Sequence, residues 1–231
     1  MKFAKPFYAA VAAVALAAVA ARAEGTAVST STMTDAQKFS HVIARQVGQN
    51  LRTQGVPVDA AAFTAALQDA VNGKPDSFTT EQTQDVMSLL NAKVAEYTKI
   101  SGEKNKSDGE AFLAANRKKG GIKVTRAGIQ YKVIRKGKGK HPSETDKVKV
   151  HYRGTLIDGT EFDSSYKRVQ PAEFPLNGVI KGWTEGLQLM SPGAKYTLYI
   201  PGDLAYGERG RPGIPANSTL IFEVELLEIL K

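Results

Sequence analysis

Six aromatic side chains in the second half of the chain (Tyr152, Phe162, Phe174, Trp183, Tyr206 and Phe222) are accompanied by one carboxylate, Asp163, directly after Phe162. Gathered together, they can build an apolar recess with a few polar groups aimed into it. That arrangement suits the binding and desolvation of an apolar ligand group. Taken singly, each aromatic reads more readily as core. The other usual chemistries lack carriers. The chain has no Cys, and its three His (His41, His141, His151) are scattered, with no metal-ligand spacing. His151 alternates with Tyr152 on a strand pattern and is expected to face the other way. AYGERGRPG is rich in Gly but lacks the Lys-Ser/Thr of a phosphate loop. The single Trp stands in GVIKGWTEG, where three of nine residues are Gly. Gly serves where backbone turns tightly or something approaches closely.

The elements that must position these residues have a period of two. GIQYKVIRKG places Ile129, Tyr131 and Val133 on one face. KVKVHYRGTLIDGTEF reads as strand, turn, strand, with Val148, Val150 and Tyr152 alternating and Asp158-Gly159 as the hairpin turn. AKYTLYIP alternates at Tyr196, Leu198 and Ile200, and STLIFEVELLEIL at Leu220, Phe222, Val224 and Leu226. Only residues around 180–188 read as helical. The spacing predicts an antiparallel sheet with one short covering helix, an α+β domain over 120–231.

Residues 34–119 follow a helical period instead. Thr34 to Gln37 is a capping-box pattern, followed by Phe39, Val42, Ile43, Val47 and Leu51, with Gly55 as the stop. Asp59 can cap a second helix carrying Phe63, Ala66, Leu67, Ala70 and Val71, which Asn72-Gly73 ends. Thr79 to Gln82 is another capping box, and no Pro or clear turn follows before Lys119. The preferred expectation is one helix of about 38 residues, roughly 57 Å long. Two helices broken near Gly102 are the alternative, because Gly102 and Gly109 each cost about 1 kcal/mol against Ala. The first two helices are short and amphipathic, and one long helix cannot cover both. The expectation is a homodimer formed through residues 34–100.

The first residues read as a secretory signal over 1–23. Lys2 and Lys5 precede AAVAAVALAAVA and an Ala21-Arg22-Ala23 cleavage site. With no Cys, the exported chain can be neither disulfide-stapled nor lipidated at that site, so periplasm or export is expected. The domain expectation is therefore signal 1–23, a helical dimerisation region with a long linker helix over 24–119, and the sheet domain over 120–231. The formal charge of +8 includes three positives in the signal. Residues 24–120 balance at 11 basic and 11 acidic, whereas 121–231 carry 17 against 12. RKGKGK at 135–140 is the most basic run, but its Gly spacing and lack of interleaved aromatics argue against nucleic acid.

VHYRGTLIDGTEFDSS, FPLNGVIKGWTEGLQLMSPGAK, IPGDLAYGERG, PGIP and STLIFEVELLEI occur in this order. Through them the chain resembles the FKBP-type peptidyl-prolyl isomerases over nearly all of 121–231. VGQNLRTQGVPVD and GEAFLAANRKKGGIKV are similar to the helical segments of the bacterial macrophage infectivity potentiator group. The resemblance implies an FKBP-like fold and isomerisation of Xaa-Pro bonds without cofactor or metal. Its implied partners are proline-containing unfolded chains, rapamycin-type macrolides, and a second copy through the helices, with chaperone activity beside catalysis. A non-catalytic peptide- or host-partner-binding module is the rival reading, and a chaperone acting through the dimer cleft is a third.

By the same resemblance, Trp183 floors a prolyl pocket walled by Tyr152, Phe162, Phe174, Val179, Ile180, Tyr206 and Phe222, with Arg168 and Ile214 also expected to bind substrate. Ile180, through its backbone N–H, and Tyr206, through its hydroxyl, are the implied donors to the substrate carbonyl. Asp163 orients the polar side, or else pairs with Arg168. The sequence departs from the family pattern at Arg211, where many members carry His. It departs also at Ala172, often aromatic, and in PGIPANSTL, which is one residue shorter than in the eukaryotic prototype. These departures bear on substrate preference and macrolide affinity.

Overall fold

A computed structural model describes residues 32–230. The signal segment expected over 1–23 lies outside the described residues. The described residues fall into two compact units, divided between Val47 and Gly48.

Three helices come first: α1 (Asp35–Thr53), α2 (Ala60–Val71) and α3 (Thr80–Asn116). Their ends obey the local chemistry. At α1, Gln37 Oε1 accepts from the Thr34 N–H at 3.0 Å while Thr34 Oγ1 accepts from the Gln37 N–H. Asp59 caps α2 by accepting from the Ala62 N–H at 2.8 Å. Thr79 and Gln82 close a reciprocal capping box on α3. Gly55 and Gly73, with φ of +66° and +69°, take the left-handed turns that stop α1 and α2. Neither α1 nor α2 buries a single residue. Phe39 is 67% exposed, and Val42, Ile43, Leu67 and Val71 are exposed as well.

α3 is one unbroken helix of 37 residues. Its glycines are not failed stops. Gly102 and Gly109 are buried beneath the loop that precedes the last strand. A Cβ on Gly102 would stand 3.1 Å from Cβ of Ala216, and one on Gly109 would crowd the Thr219 hydroxyl. Further on, the Gln130 side chain donates to the Leu113 carbonyl at 2.7 Å and accepts from Asn116 Nδ2 at 3.0 Å. Asn105 Nδ2 reaches the Ala216 carbonyl at 2.9 Å. The second half of α3 is thus bonded onto the sheet by buried polar pairs, which are costly to leave unmade.

The sheet has seven antiparallel strands: β1 (Ile122–Val124), β2 (Gln130–Arg135), β3 (Lys147–Leu156), β4 (Glu161–Ser164), β5 (Ala172–Pro175), β6 (Lys195–Ile200) and β7 (Leu220–Leu230). Their order is β1-β2-β6-β7-β3-β4, and β5 also pairs with β3. The period-two pattern sets which side chains enter the core. Val148, Val150 and Tyr152 of β3 point inward with Leu220, Phe222, Val224 and Leu226 of β7 and Leu198 and Ile200 of β6. Across them lies the short helix α4 (Lys181–Leu187), contributing Trp183 and Leu187.

Two glycines let α4 lie close to the sheet. A Cβ on Gly182 would meet Ile200, and one on Gly186 would stand 2.7 Å from Cδ1 of Leu198. Gly182 and Gly186, on either side of the Trp, therefore face β6. That close approach sets the depth at which the indole lies.

Candidate active site

Tyr152, Phe162, Asp163, Phe174, Gly178, Val179, Ile180, Trp183, Tyr206, Arg211 and Phe222 line one cavity of about 470 Å³. Four strands, the start of α4 and the β6–β7 loop all contribute to it. Trp183 is 4% exposed. Tyr152, Phe174 and Phe222 meet it at interplanar angles of 89°, 88° and 77°, with centroids 5.1–5.5 Å away. Such edge-to-face contacts suit the quadrupoles of the rings. The Trp183 indole N–H is buried and has no protein acceptor among the described residues.

The Phe162 wall depends on two local departures from regular strand. Opposite β3, the register slips so that Gly154 pairs with Asp163 and Thr155 with Glu161, leaving Phe162 as the bulged residue. Gly154 supplies the room. A Cβ there would lie 2.6 Å from the Phe162 ring and 2.8 Å from Phe222 Cε1. Phe162 and Phe222 close edge-to-face over it, with centroids 5.4 Å apart. Gly154 is a site-building residue that the aromatic reading missed. Its signal was a Gly inside an alternating strand, which marks a bulge or a close approach.

Ile180 precedes α4. Thr184 Oγ1 donates to the Leu176 carbonyl at 2.6 Å and also contacts that of Ile180, tying the preceding turn to the helix start. The Ile180 N–H donates to no protein acceptor among the described residues, and Ile180 is part of the cavity lining.

The polar side is a three-member network. Tyr152 Oη donates to one Asp163 oxygen, and Arg168 Nη1 donates to the other. Arg168 Nη2 also donates to Tyr152 Oη at 2.8 Å, with the guanidinium 5.6 Å from the ring centroid. Burial works against ionisation of Asp163, but the hydrogen bonds from Tyr152 and Arg168 outweigh it and hold the carboxyl below its usual range. Burial first, and the Asp163 hydrogen bond second, push the Tyr152 phenol up to about 12, so it remains a neutral donor. From the β6–β7 loop, Arg211 Nη1 donates to Tyr206 Oη at 2.9 Å.

Two residues expected in the pocket stand elsewhere. Ile214 is 2% exposed and packed in the core; it borders a neighbouring depression and not this cavity. Its backbone closes a tight bridge with Arg211, each N–H donating to the other's carbonyl at 2.8 Å, and its side chain belongs to the core cluster. Arg168 stands behind Asp163 and holds it, without lining the wall. The Asp163–Arg168 pair and an Asp163 aimed at the pocket's polar side, weighed as alternatives from the sequence, coexist here. Gly178 and Arg211 join the lining. His151 lies on the alternate side of β3, stacked on Tyr166 at 4.7 Å.

Residues 138–227 match the family of FKBP-type peptidyl-prolyl cis-trans isomerases, and residues 36–133 match the domain amino terminal to FKBP-type peptidyl-prolyl isomerase. An FKBP-type peptidyl-prolyl cis-trans isomerase, FkpA, of Aeromonas hydrophila is 47% identical over 82% of this chain and 73% of its own. The outer membrane protein MIP of Legionella longbeachae is 43% identical over 87% of this chain and 89% of its own. The crystal structure of FkpA from Escherichia coli superposes with a TM-score of 0.62 at 36% identity, covering 85% of this chain and 97% of that one.

Proposed function

Because this chain belongs to the FKBP-type peptidyl-prolyl cis-trans isomerases, we propose that it isomerises Xaa-Pro bonds of folding proteins outside the cytoplasm, as a dimer with chaperone activity. The supporting observation is the cavity itself: aromatic walls on an indole floor, a paired carboxylate, and no nucleophile in the lining. Rotation about an Xaa-Pro bond breaks no covalent bond. It is slow, tens to hundreds of seconds, because amide resonance is lost on twisting. The twisted imide is less polar than the planar one, so an apolar recess favours the transition state over the ground state. The prolyl ring lies on Trp183 between Phe162, Phe174 and Phe222. The Ile180 N–H and the Tyr206 hydroxyl hold the flanking carbonyl while it turns, and Asp163, with Tyr152 and Arg168, sets the polar wall. Rapamycin-type macrolides compete for the same recess.

Proline-limited refolding of a model protein is expected to accelerate on adding the mature chain, and rapamycin to abolish the acceleration while changing Trp183 emission. No acceleration, with a Trp183 change on adding proline peptide, would replace this reading with a non-catalytic binding module.

The signal pattern over 1–23 supports export, and relatives named FkpA and outer membrane protein MIP agree with it. The exposed apolar faces of α1 and α2 support assembly. Phe39, Val42 and Ile43 on α1, and Phe63, Leu67 and Val71 on α2, are uncovered, and large exposed apolar faces of this kind mark interaction sites. A second copy, packed through residues 34–100, would cover them. Light scattering of the mature protein is expected to return twice the mass of one chain; a monomer overturns the assembly.

A further inference from the structure

The two charged side chains that line the cavity are in opposite states. Asp163 is neutralised by Arg168. Arg211, on the β6–β7 loop, makes no ion pair with any carboxylate among the described residues, although Glu208 lies on the same loop. It is nevertheless held in place: its Nη1 donates to Tyr206 Oη at 2.9 Å, and its guanidinium carbon stands 5.1 Å from the Tyr206 ring centroid. Arg209, two residues earlier, also lacks an ion pair among the described residues, and it borders with Arg211 the depression of about 350 Å³ beside the cavity. An exposed arginine without a carboxylate, pinned at the mouth of an apolar recess, is a ready partner for an anion. Its planar fork suits a carboxylate.

We propose that Arg211 makes this enzyme favour an acidic side chain over its neutral isostere or a basic one immediately before the proline. The inference rests on the isomerase reading above. In that reading Tyr206 donates to the carbonyl of the residue preceding proline. Arg211 donates to the same hydroxyl oxygen, so it stands on that residue's side of the cavity. The Arg211 bond occupies a lone pair of the phenol and leaves its O–H to turn toward the substrate. Arg211 thus positions Tyr206 and reads the neighbouring side chain. A Glu there gains a charge-assisted partner, a Gln gains only a neutral one, and a Lys meets a like charge.

The test uses the mature chain and tetrapeptides that differ only before the proline, carrying Leu, Gln, Glu or Lys. An exposed pair of this kind is expected to raise kcat/KM for Glu over Gln about three- to fivefold, with Lys below Gln. The ratio should be largest near 10 mM salt, where the screening length is about 30 Å, and fall toward one near 1 M, where it is about 3 Å. Arg211→Gln should slow every peptide through the lost bond to Tyr206 and bring the Glu/Gln ratio to one. Arg211→Glu should invert the order in favour of Lys. Equal rates for Glu and Gln in the wild type at low salt, or a Glu preference that survives Arg211→Gln, would overturn the inference while leaving the isomerase reading intact. The salt series on the wild type needs no variant. No turnover of any peptide, Leu included, would overturn both together.

Discussion

Trp183→Ala is expected to destabilise the protein by about 3–5 kcal/mol, the usual range for truncating a buried Phe or Trp. Domains of ordinary stability have only about 5–15 kcal/mol in total, so the loss is a large share. The indole is almost fully buried, and three rings stand edge-on to it at 5.1–5.5 Å. Removing it leaves Tyr152, Phe174 and Phe222 without the surface that holds them upright. They cannot collapse into the gap, because Tyr152 is anchored at its hydroxyl by Asp163 and Arg168. The indole N–H finds no acceptor among the described residues, so its removal leaves none of their groups unpaired. The loss should therefore reflect cavity and transfer energy alone. Urea titration followed by far-UV circular dichroism measures it, since the variant has no Trp to report. A loss below about 1 kcal/mol would mean that the walls stand without the floor.

Asp163→Asn is expected to lower kcat/KM on the order of 10- to 100-fold, matching the roughly 1.5–3 kcal/mol of a hydrogen bond to a charged group, with peptide affinity changed much less. The carboxylate accepts from two donors, one on each oxygen. An amide offers one acceptor and turns an NH2 toward the other donor, so either the Tyr152 hydroxyl or the Arg168 guanidinium loses its partner. The wall then loses its fixed geometry without losing apolar surface, and binding of the prolyl ring survives. The pH profile supplies a second readout. The folded-state pKa of Asp163 lies below its unfolded value. Its contribution is present above the unfolded value and is lost only as pH falls through the lowered one. Wild-type activity should hold through the usual carboxylate range and decline in stronger acid, and Asp163→Asn should lack that decline. Equal turnover by the variant and the wild type would remove Asp163 from the mechanism.

Much of the architecture was legible because its causes are local. Strand alternation places Val148, Val150 and Tyr152 on one face whatever lies opposite, since successive residues must point to opposite sides. The capping boxes at Thr34 and Thr79 close within four residues, and the Asp158-Gly159 turn within two strands. The order of the motifs carried the family, and with it most of the lining.

Other features depended on what meets across the fold. Gly102 and Gly109 look like helix weaknesses when only their neighbours in sequence are considered. They become contact points once Ala216 and Thr219, more than a hundred residues later, lie against them. Gly154 gains its meaning from the Phe162 and Phe222 rings, and Gly182 from Ile200. Ile214 sits among the site motifs in sequence but turns into the core. Whether Asp163 pairs with Arg168 or faces the pocket was undecidable from spacing, because one carboxylate has two oxygens and can do both. Composition and period are properties of a segment and follow from its own residues. A close approach belongs to two segments at once, and only the folded chain brings them within van der Waals distance.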